Sequence, residues 1–399
     1  MTKNAWRKTR FDDALARIDL RDRVRQALAA GPLCDHCLGR LMAGIDTGLP
    51  NAERGRRMRE AVAGAAAPPV CSLCRGLFEG FEAWIPRVRQ ALEGWECQTF
   101  AVVSHADPAI EAAEEALWQA VGGDMAEPYK QAFNRLLGIR LCDETGLATD
   151  LEFPDIFITC HHPTGRVTLR VEPLFVEGRY RKVARGFPQC RWRTWRTSIQ
   201  QIVGDPICRE AGGEDHSFHG CGREDVDVLC LGERPFIVEV KRPHRRLLDW
   251  TALAGEIAAG GQVEVVDLVK TNRGAVERLK SARPQKSYRA TVRLEADVDP
   301  AACERLASLM CTLKQHTPKR VLKRRANLLR HRRVYELTWR LIDPRTLELT
   351  VRAQAGTYIK ELISGDSGRT RPSVAEVLGV AAECVELDVA AIHMGDENN

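Results

Sequence analysis

Residues 222–232, GREDVDVLCLG, set two carboxylates two positions apart, behind a glycine and an arginine and ahead of an apolar run. In an extended strand alternate side chains share a face, so Asp225 and Asp227 are expected on one side of the chain and Val226 and Val228 on the other. The valines then enter a core while the acids line a cleft. Paired carboxylates in a cleft suit nucleophilic or general-base chemistry, or the holding of a divalent cation. A half-buried strand with a wet face carries the same pattern, so the chemistry depends on what else the chain supplies.

A second set of residues is metal-ligating. Among fourteen cysteines, CDHC and CSLC place Cys34, Cys37, Cys71 and Cys74 as two C-x-x-C pairs. Each pair forms a tight knuckle that presents both sulfurs to one point, so four thiolates can converge tetrahedrally on zinc. With all four positions filled by protein, such a zinc is structural. The 33 residues between the pairs exceed the spacing of a compact zinc ribbon, which requires a helix such as NAERGRRMREAVAGA to fold between the knuckles. Cys208, His216, His219 and Cys221 form a looser group whose spacings match no metal pattern.

The formal charge is +5, and its distribution says more than its total. Residues 177–196, EGRYRKVARGFPQCRWRTWR, hold seven Arg and Lys with Tyr180, Phe187, Trp192 and Trp195 between them. Residues 317–333 hold eight more plus His331. Two basic tracts, one interleaved with aromatics, suit a phosphate backbone with bases available for stacking. The candidate RNA contacts are Arg179, Arg181, Lys182, Arg185, Arg223, Lys319, Arg320, Arg324 and Arg325.

These residues need a scaffold, and 399 residues with 44% hydrophobic and 28% charged content suffice for two or three soluble domains. No apolar run is long enough to span a bilayer, and MTKNAWRKTRFDD lacks the features of a secretory signal, so a cytoplasmic protein is expected. A disulfide framework is not expected there. Periodicity predicts one amphipathic helix over 11–31, a helix near 82–92, a strand CQTFAVVS, helices AIEAAEEALWQAV and AEPYKQAFNRLLGIRL, and a strand pair over 155–171. We place the end of this first domain near 190. The second, 191–399, reads as a helix TSIQQIVGDPICREAG followed by strands DVDVLCL, PFIVEV, SYRATVRLEA, RVYELTWRLI and TLELTVRAQA, interrupted by helices AACERLASLMCTLKQ and TYIKELISG. Alternating strands with inserted helices imply an α+β fold with a mainly antiparallel sheet.

Three separated pieces, GREDVDV, KSYRATV (286–292) and GTYIKELISGDSGRTRPS (356–373), together resemble the catalytic domain of pseudouridine synthases. With the paired C-x-x-C motifs, EPLFVEGRYRKVARGFPQCRW and TPKRVLKRRANLLR, nearly the whole chain resembles the archaeal and eukaryotic tRNA pseudouridine synthase family numbered ten. The resemblance implies Asp225 as the catalytic aspartate and Tyr288 as the aromatic that stacks on the uracil, a candidate base at C5. It further implies Lys360 as the cation paired with Asp225, and Leu387 as the apolar residue beneath the pyrimidine. It implies a THUMP-type RNA-binding region in the first domain, tRNA as the partner, and uridines 54 and 55 of the TΨC arm as targets. Isomerisation calls for no catalytic cofactor beyond the structural zinc. No membrane association and no protein partner are indicated.

Two other readings use the same residues. Asp227 followed by Glu239-Val240-Lys241 has the acid and E-x-K arrangement of a metal-dependent nuclease hairpin. A non-catalytic zinc-containing RNA-binding protein would use the basic tracts and leave Asp225 idle.

Overall fold

The computed structural model describes residues 10–62, 67–68, 70–323 and 325–395. Contacts divide the chain into two compact units, Met1–Glu172 and Pro173–Asn399. The division lies before the 190 boundary taken from the sequence, because residues 174–182 form a strand inside the second unit's sheet.

In the first unit, helices Phe11–Leu15, Ile18–Ala30, Asp35–Arg40, Asn51–Val62 and Trp84–Leu92 precede a four-stranded sheet. Its strands are β1 (Thr99–His105), β2 (Ala148–Thr149), β3 (Ile156–His161) and β4 (Arg166–Val171), in the order β2-β1-β3-β4. β1 runs parallel to β2 and β3, and β3 and β4 form an antiparallel pair. The crossover from β1 runs through helices Pro108–Val121 and Tyr129–Thr145. Asp107 caps the first by accepting from the Ala109 N–H, with Pro108 in the opening turn, and Gly146 ends the second in a left-handed conformation. The single helix expected over 11–31 is two, because Arg17 is extended (ψ 138°). The break lets Phe11, Ala14 and Leu15 and then Leu20, Val24 and Ala27 enter one core.

The second unit is built on a ten-stranded sheet. Its strands are β5 (Leu174–Lys182), β6 (Asp215–Gly220), β7 (Leu229–Lys241), β8 (Val263–Thr271), β9 (Gln285–Leu294), β10 (Thr312–His316), β11 (Leu329–Asp343), β12 (Thr346–Ala353), β13 (Thr370–Arg371) and β14 (Ala382–His393). The order is β13-β10-β11-β12-β9-β14-β7-β5-β8, with β6 paired on β7. Every pair is antiparallel except β14 with β7, so the mixed, mainly antiparallel sheet read from the alternation is what forms. Ala290, Val292 and Leu294 of β9 and Leu347, Leu349, Val351 and Ala353 of β12 bury one face against Ile359, Leu362 and Ile363 of helix Ile359–Ser364. Helices Ile199–Glu210 and Trp250–Ala259 supply a second core over β5, β7 and β8. The helix expected across 301–315 stops early: Pro300–Cys303 passes into a 3-10 turn, and residues 312–316 become β10. There Leu313 and Gln315 are buried alternately, a period of two that pairing with β11 satisfies.

Candidate active site

The one parallel pairing among the described strands of the second unit's sheet decides which residues meet. It sets Leu229 of β7 beside Asp388 of β14 and Cys230 beside Val389. Parallel strands share direction, so the loop entering β7 lies at the same end as Leu387. β14 in turn pairs Val389 with Tyr288 of β9. After β12, the chain turns through Gly356 into the helix that carries Lys360. Four candidates separated by up to 162 positions thus line one cavity of about 540 Å³: Asp225, Tyr288, Lys360 and Leu387.

The carboxylates do not sit as the sequence suggested. Residues 223–228 form an irregular loop, and the strand begins at Leu229, so Asp225 and Asp227 share no strand face. Side chains take the backbone acceptors that a neighbouring strand would otherwise engage. Lys182 Nζ donates to the carbonyls of Val226 (2.9 Å) and Asp225 (3.3 Å), and Arg185 donates to that of Asp227 (2.7 Å). Gly222 enters the loop at φ +76°, with the Arg234 guanidinium 3.2 Å from where a Cβ would lie.

Ion pairing also differs. Lys360 Nζ is 2.8 Å from Asp227 Oδ2 and 3.9 Å from Asp225 Oδ2. The nearer cation to Asp225 is Arg320, at 3.0 Å, which also holds the buried Glu361 at 2.8 Å. Lys360 therefore bridges the two acids instead of pairing with Asp225 alone. Burial, the largest single influence, pushes the Asp227 carboxyl up, but the Lys360 hydrogen bond and charge, a backbone hydrogen bond and the Arg320 charge together outweigh it and leave its pKa below the usual value. Burial lowers the Arg320 pKa and its carboxylate partners more than restore it, so this guanidinium stays charged. Burial pushes the Tyr288 phenol up to about 12. A neutral phenol is a stacking platform; it is a poor resting-state base.

A buried network behind the loop has no signature in the sequence. Glu224 accepts from the Tyr180 hydroxyl at 3.0 and 3.1 Å and lies 3.1 Å from Arg234 Nε. Gln189 donates to the Tyr180 hydroxyl (2.9 Å) and to the Gly222 carbonyl (3.0 Å), and Arg234 donates to that of Cys221 (2.8 Å). Tyr180 lay in plain view within a basic-aromatic tract, and only the pairing of β5 with β7 brings it under the loop.

The candidate RNA contacts divide in the same way. Lys182 is fully buried and cannot meet phosphate. Arg185 reaches Asp388 at 2.6 Å and is spent on the loop. Arg179 pairs with Glu233 and Asp267, and Arg181 with Glu233 and Glu264, while keeping nearly half of each side chain exposed. Arg223, Arg320 and Arg325 line the cavity, and Lys319 is exposed beside it. Arg324 lies outside the described residues.

In the first unit the sulfurs of Cys34, Cys37, Cys71 and Cys74 lie within 4.8 Å of one another, all buried. Cys34 Sγ and Cys74 Sγ are 3.8 Å apart. Zinc–sulfur bonds of about 2.3 Å in a tetrahedron set sulfurs about 3.8 Å apart, whereas a disulfide needs about 2.05 Å. The donor set fits a four-coordinate metal. Among the described residues no second such cluster forms: His216 meets Asp205 and Arg191, and His219 meets Glu239. The nuclease hairpin is not assembled either. Asp227 faces Lys360, Glu239 faces His219 at 2.9 Å, and Lys241 faces Asp215 at 3.0 Å, so the three have three different partners.

Residues 175–393 match the family model described as Pus10, C-terminal, and residues 84–161 that described as Pus10 THUMP domain, archaeal. The chain is similar along its length to curated proteins named tRNA pseudouridine synthase Pus10. Identity is 39% to that of Halorubrum lacusprofundi, covering 95% of this chain and 98% of the relative. It is 38% to that of Pyrococcus furiosus (93% and 97%) and 36% to that of Methanothrix thermoacetophila (93% and 94%).

Proposed function

The chain belongs to the Pus10 family of tRNA pseudouridine synthases, and from that membership we propose that it isomerises uridines 54 and 55 in the TΨC arm of tRNA with Asp225 as the nucleophile. The observation that carries the choice of Asp225 is the lining of the cavity. Of the two loop aspartates, Asp225 is the one that shares it with Tyr288 and Leu387, and Asp227 lines only an adjoining cavity. Glu224 also borders the first cavity but is buried and engaged by Arg234 and Tyr180.

Isomerisation breaks N1–C1′, turns the base, and rejoins C1′ to C5, after which the C5 proton is lost and N1 gains one. No oxidant or reductant is consumed. A carboxylate labilises the glycosidic bond by adding at C1′ or by removing the C2′ proton, and both routes need it ionised. Arg320, at 3.0 Å, and Lys360, at 3.9 Å, are the cations that face the Asp225 carboxylate. Tyr288 holds the detached uracil by stacking, with Leu387 as the apolar floor, so the base does not diffuse away. The target must leave its stack, so the RNA is bound by shape and backbone and one nucleotide is extruded. Arg223, Lys319 and Arg325 are the cations placed for that backbone, with the exposed parts of Arg179 and Arg181 beyond. Zinc on the four thiolates would stabilise the first unit and take no part in the reaction. A tRNA substrate makes the cytoplasm the place of work.

The test is pseudouridine mapping by carbodiimide on an unmodified tRNA transcript, alongside binding of the same RNA. Asp225→Asn should abolish the TΨC-arm signal and retain affinity, because the amide keeps the shape and loses the ionised oxygen. Asp227→Asn should lower the yield only in part. An active Asp225→Asn enzyme beside a dead Asp227→Asn enzyme would reverse the assignment, and a wild-type protein giving no signal in that arm would remove the substrate position.

A further inference from the structure

A second cavity, of about 610 Å³, adjoins the catalytic one. Both are bordered by Arg223, Glu224, Asp225, Arg320, Arg325 and Lys360, so they share a wall made largely of cations. What distinguishes the second is the segment 188–192, which brings Trp192 to its lining with 47% of that residue exposed. We propose that this cavity is a stacking subsite for an unpaired base of the same RNA, one nucleotide from the target uridine, with Trp192 as the platform and Arg223 on the intervening phosphate. The inference rests on the tRNA pseudouridine synthase reading.

Three observations point to a nucleotide. First, extruding a base strips its neighbour of a stacking partner, and an aromatic side chain beside the catalytic pocket replaces it. An indole serves any base, because every base offers a π-face. Second, the segment is anchored before RNA arrives. Arg191 is held by Asp205 at 2.8 Å, by Asp215 at 3.3 Å and by His216 at 2.7 Å, and the Trp195 N–H closes a turn onto the Trp192 carbonyl at 3.0 Å. A pre-placed platform loses little ordering entropy on binding. Third, the wall holds an unspent cation. Arg320 and Lys360 are engaged by carboxylates, and Arg325 donates to the Tyr358 hydroxyl. Arg223 is exposed and makes no hydrogen bond or ion pair among the described residues. It borders both cavities, within reach of a phosphodiester joining one cavity's nucleotide to the other's, and a guanidinium matches that group.

The experiment is a cycle read by binding affinity, with pseudouridine yield followed in parallel. Trp192→Ala, Trp192→Phe and wild type are each titrated with the unmodified tRNA transcript and with transcripts abasic at the nucleotide 5′ or 3′ of the target. Losing one base–aromatic stack should weaken wild-type tRNA binding to Trp192→Ala about 5- to 150-fold, and Trp192→Phe should recover most of it. KM should rise more than kcat falls. One of the two abasic RNAs should bind wild type with the same loss and lose nothing further on Trp192→Ala. Arg223→Gln should lessen the salt slope of log affinity by about 0.7–0.9. Unchanged affinity of Trp192→Ala, or abasic losses that multiply with it, would overturn the subsite. The affinity cycle decides this even if wild type made no pseudouridine, an outcome that would instead remove the catalytic reading.

Discussion

Lys182→Met tests whether the loop carrying Asp225 is held from beneath. The methionine keeps the length of the side chain and its apolar packing on Phe187, and removes the charge, its two hydrogen bonds and the cation–π contact with that ring, whose centroid lies 4.9 Å from the ammonium. A hydrogen bond from a charged donor contributes about 1.5–3 kcal/mol net. The 2.9 Å bond to Val226 counts in full and the 3.3 Å bond to Asp225 for about half, since it is long for N–H···O. Against this, burial already holds the Lys182 pKa below its ordinary value, and removing the charge relieves that penalty. The net loss is about 1–3 kcal/mol. If all of it falls on the ordered loop, kcat drops at most about 5- to 150-fold, since about 1.4 kcal/mol is tenfold. The tRNA affinity should change little, because the buried ammonium cannot touch RNA. The assay is single-turnover pseudouridine formation at saturating enzyme, with tRNA binding and thermal unfolding on the same preparations. A Lys182→Met enzyme with a lowered melting temperature and wild-type kcat would refute the reasoning, because the two bonds would then stabilise the fold without setting the loop.

Removing metal from the first unit should unfold it locally: purified protein should contain about one zinc per chain, and Cys37→Ser should lose both the zinc and a large part of its thermal stability. Metal-free protein that melts like the wild type would overturn a structural role. Acid should break the Asp227–Lys360 pair. The folded Asp227 pKa is below its unfolded value, so the pair's contribution is complete above about pH 3.9 and is lost as pH falls through the folded value. Both groups are partly exposed, which limits the effect to about 0.2–1 kcal/mol. In urea unfolding, the difference between wild type and Asp227→Asn should close at the acid end. A gap that persisted undiminished to pH 2 would show that the pair is not its source.

Local chemistry was legible without coordinates. Cys34, Cys37, Cys71 and Cys74 could be paired by spacing because a C-x-x-C knuckle is built within four residues, and their sulfurs do converge. The alternation in β9 and β12 marked strands whose pleats depend only on near neighbours. The family resemblance also named Asp225, Tyr288, Lys360 and Leu387, which one cavity brings together. What the chain could not show was partnership over distance. Arg320 and Lys182 read as phosphate ligands because a basic tract looks exposed; pairing of β5 with β7 buries one, and the turn after β10 swings the other onto an acid 95 positions away. The D-x-D segment read as a strand because alternation is a local signal. It became a loop because Lys182 and Arg185, brought up by β5 and the chain after it, took its backbone carbonyls. Sequence determines the residues that can do chemistry and the elements that carry them. Tertiary packing decides which charge faces which, because an ion pair or a buried hydrogen bond depends on proximity in space, and here that proximity is set by pairings of distant strands, β5 with β7 and β14 with β7.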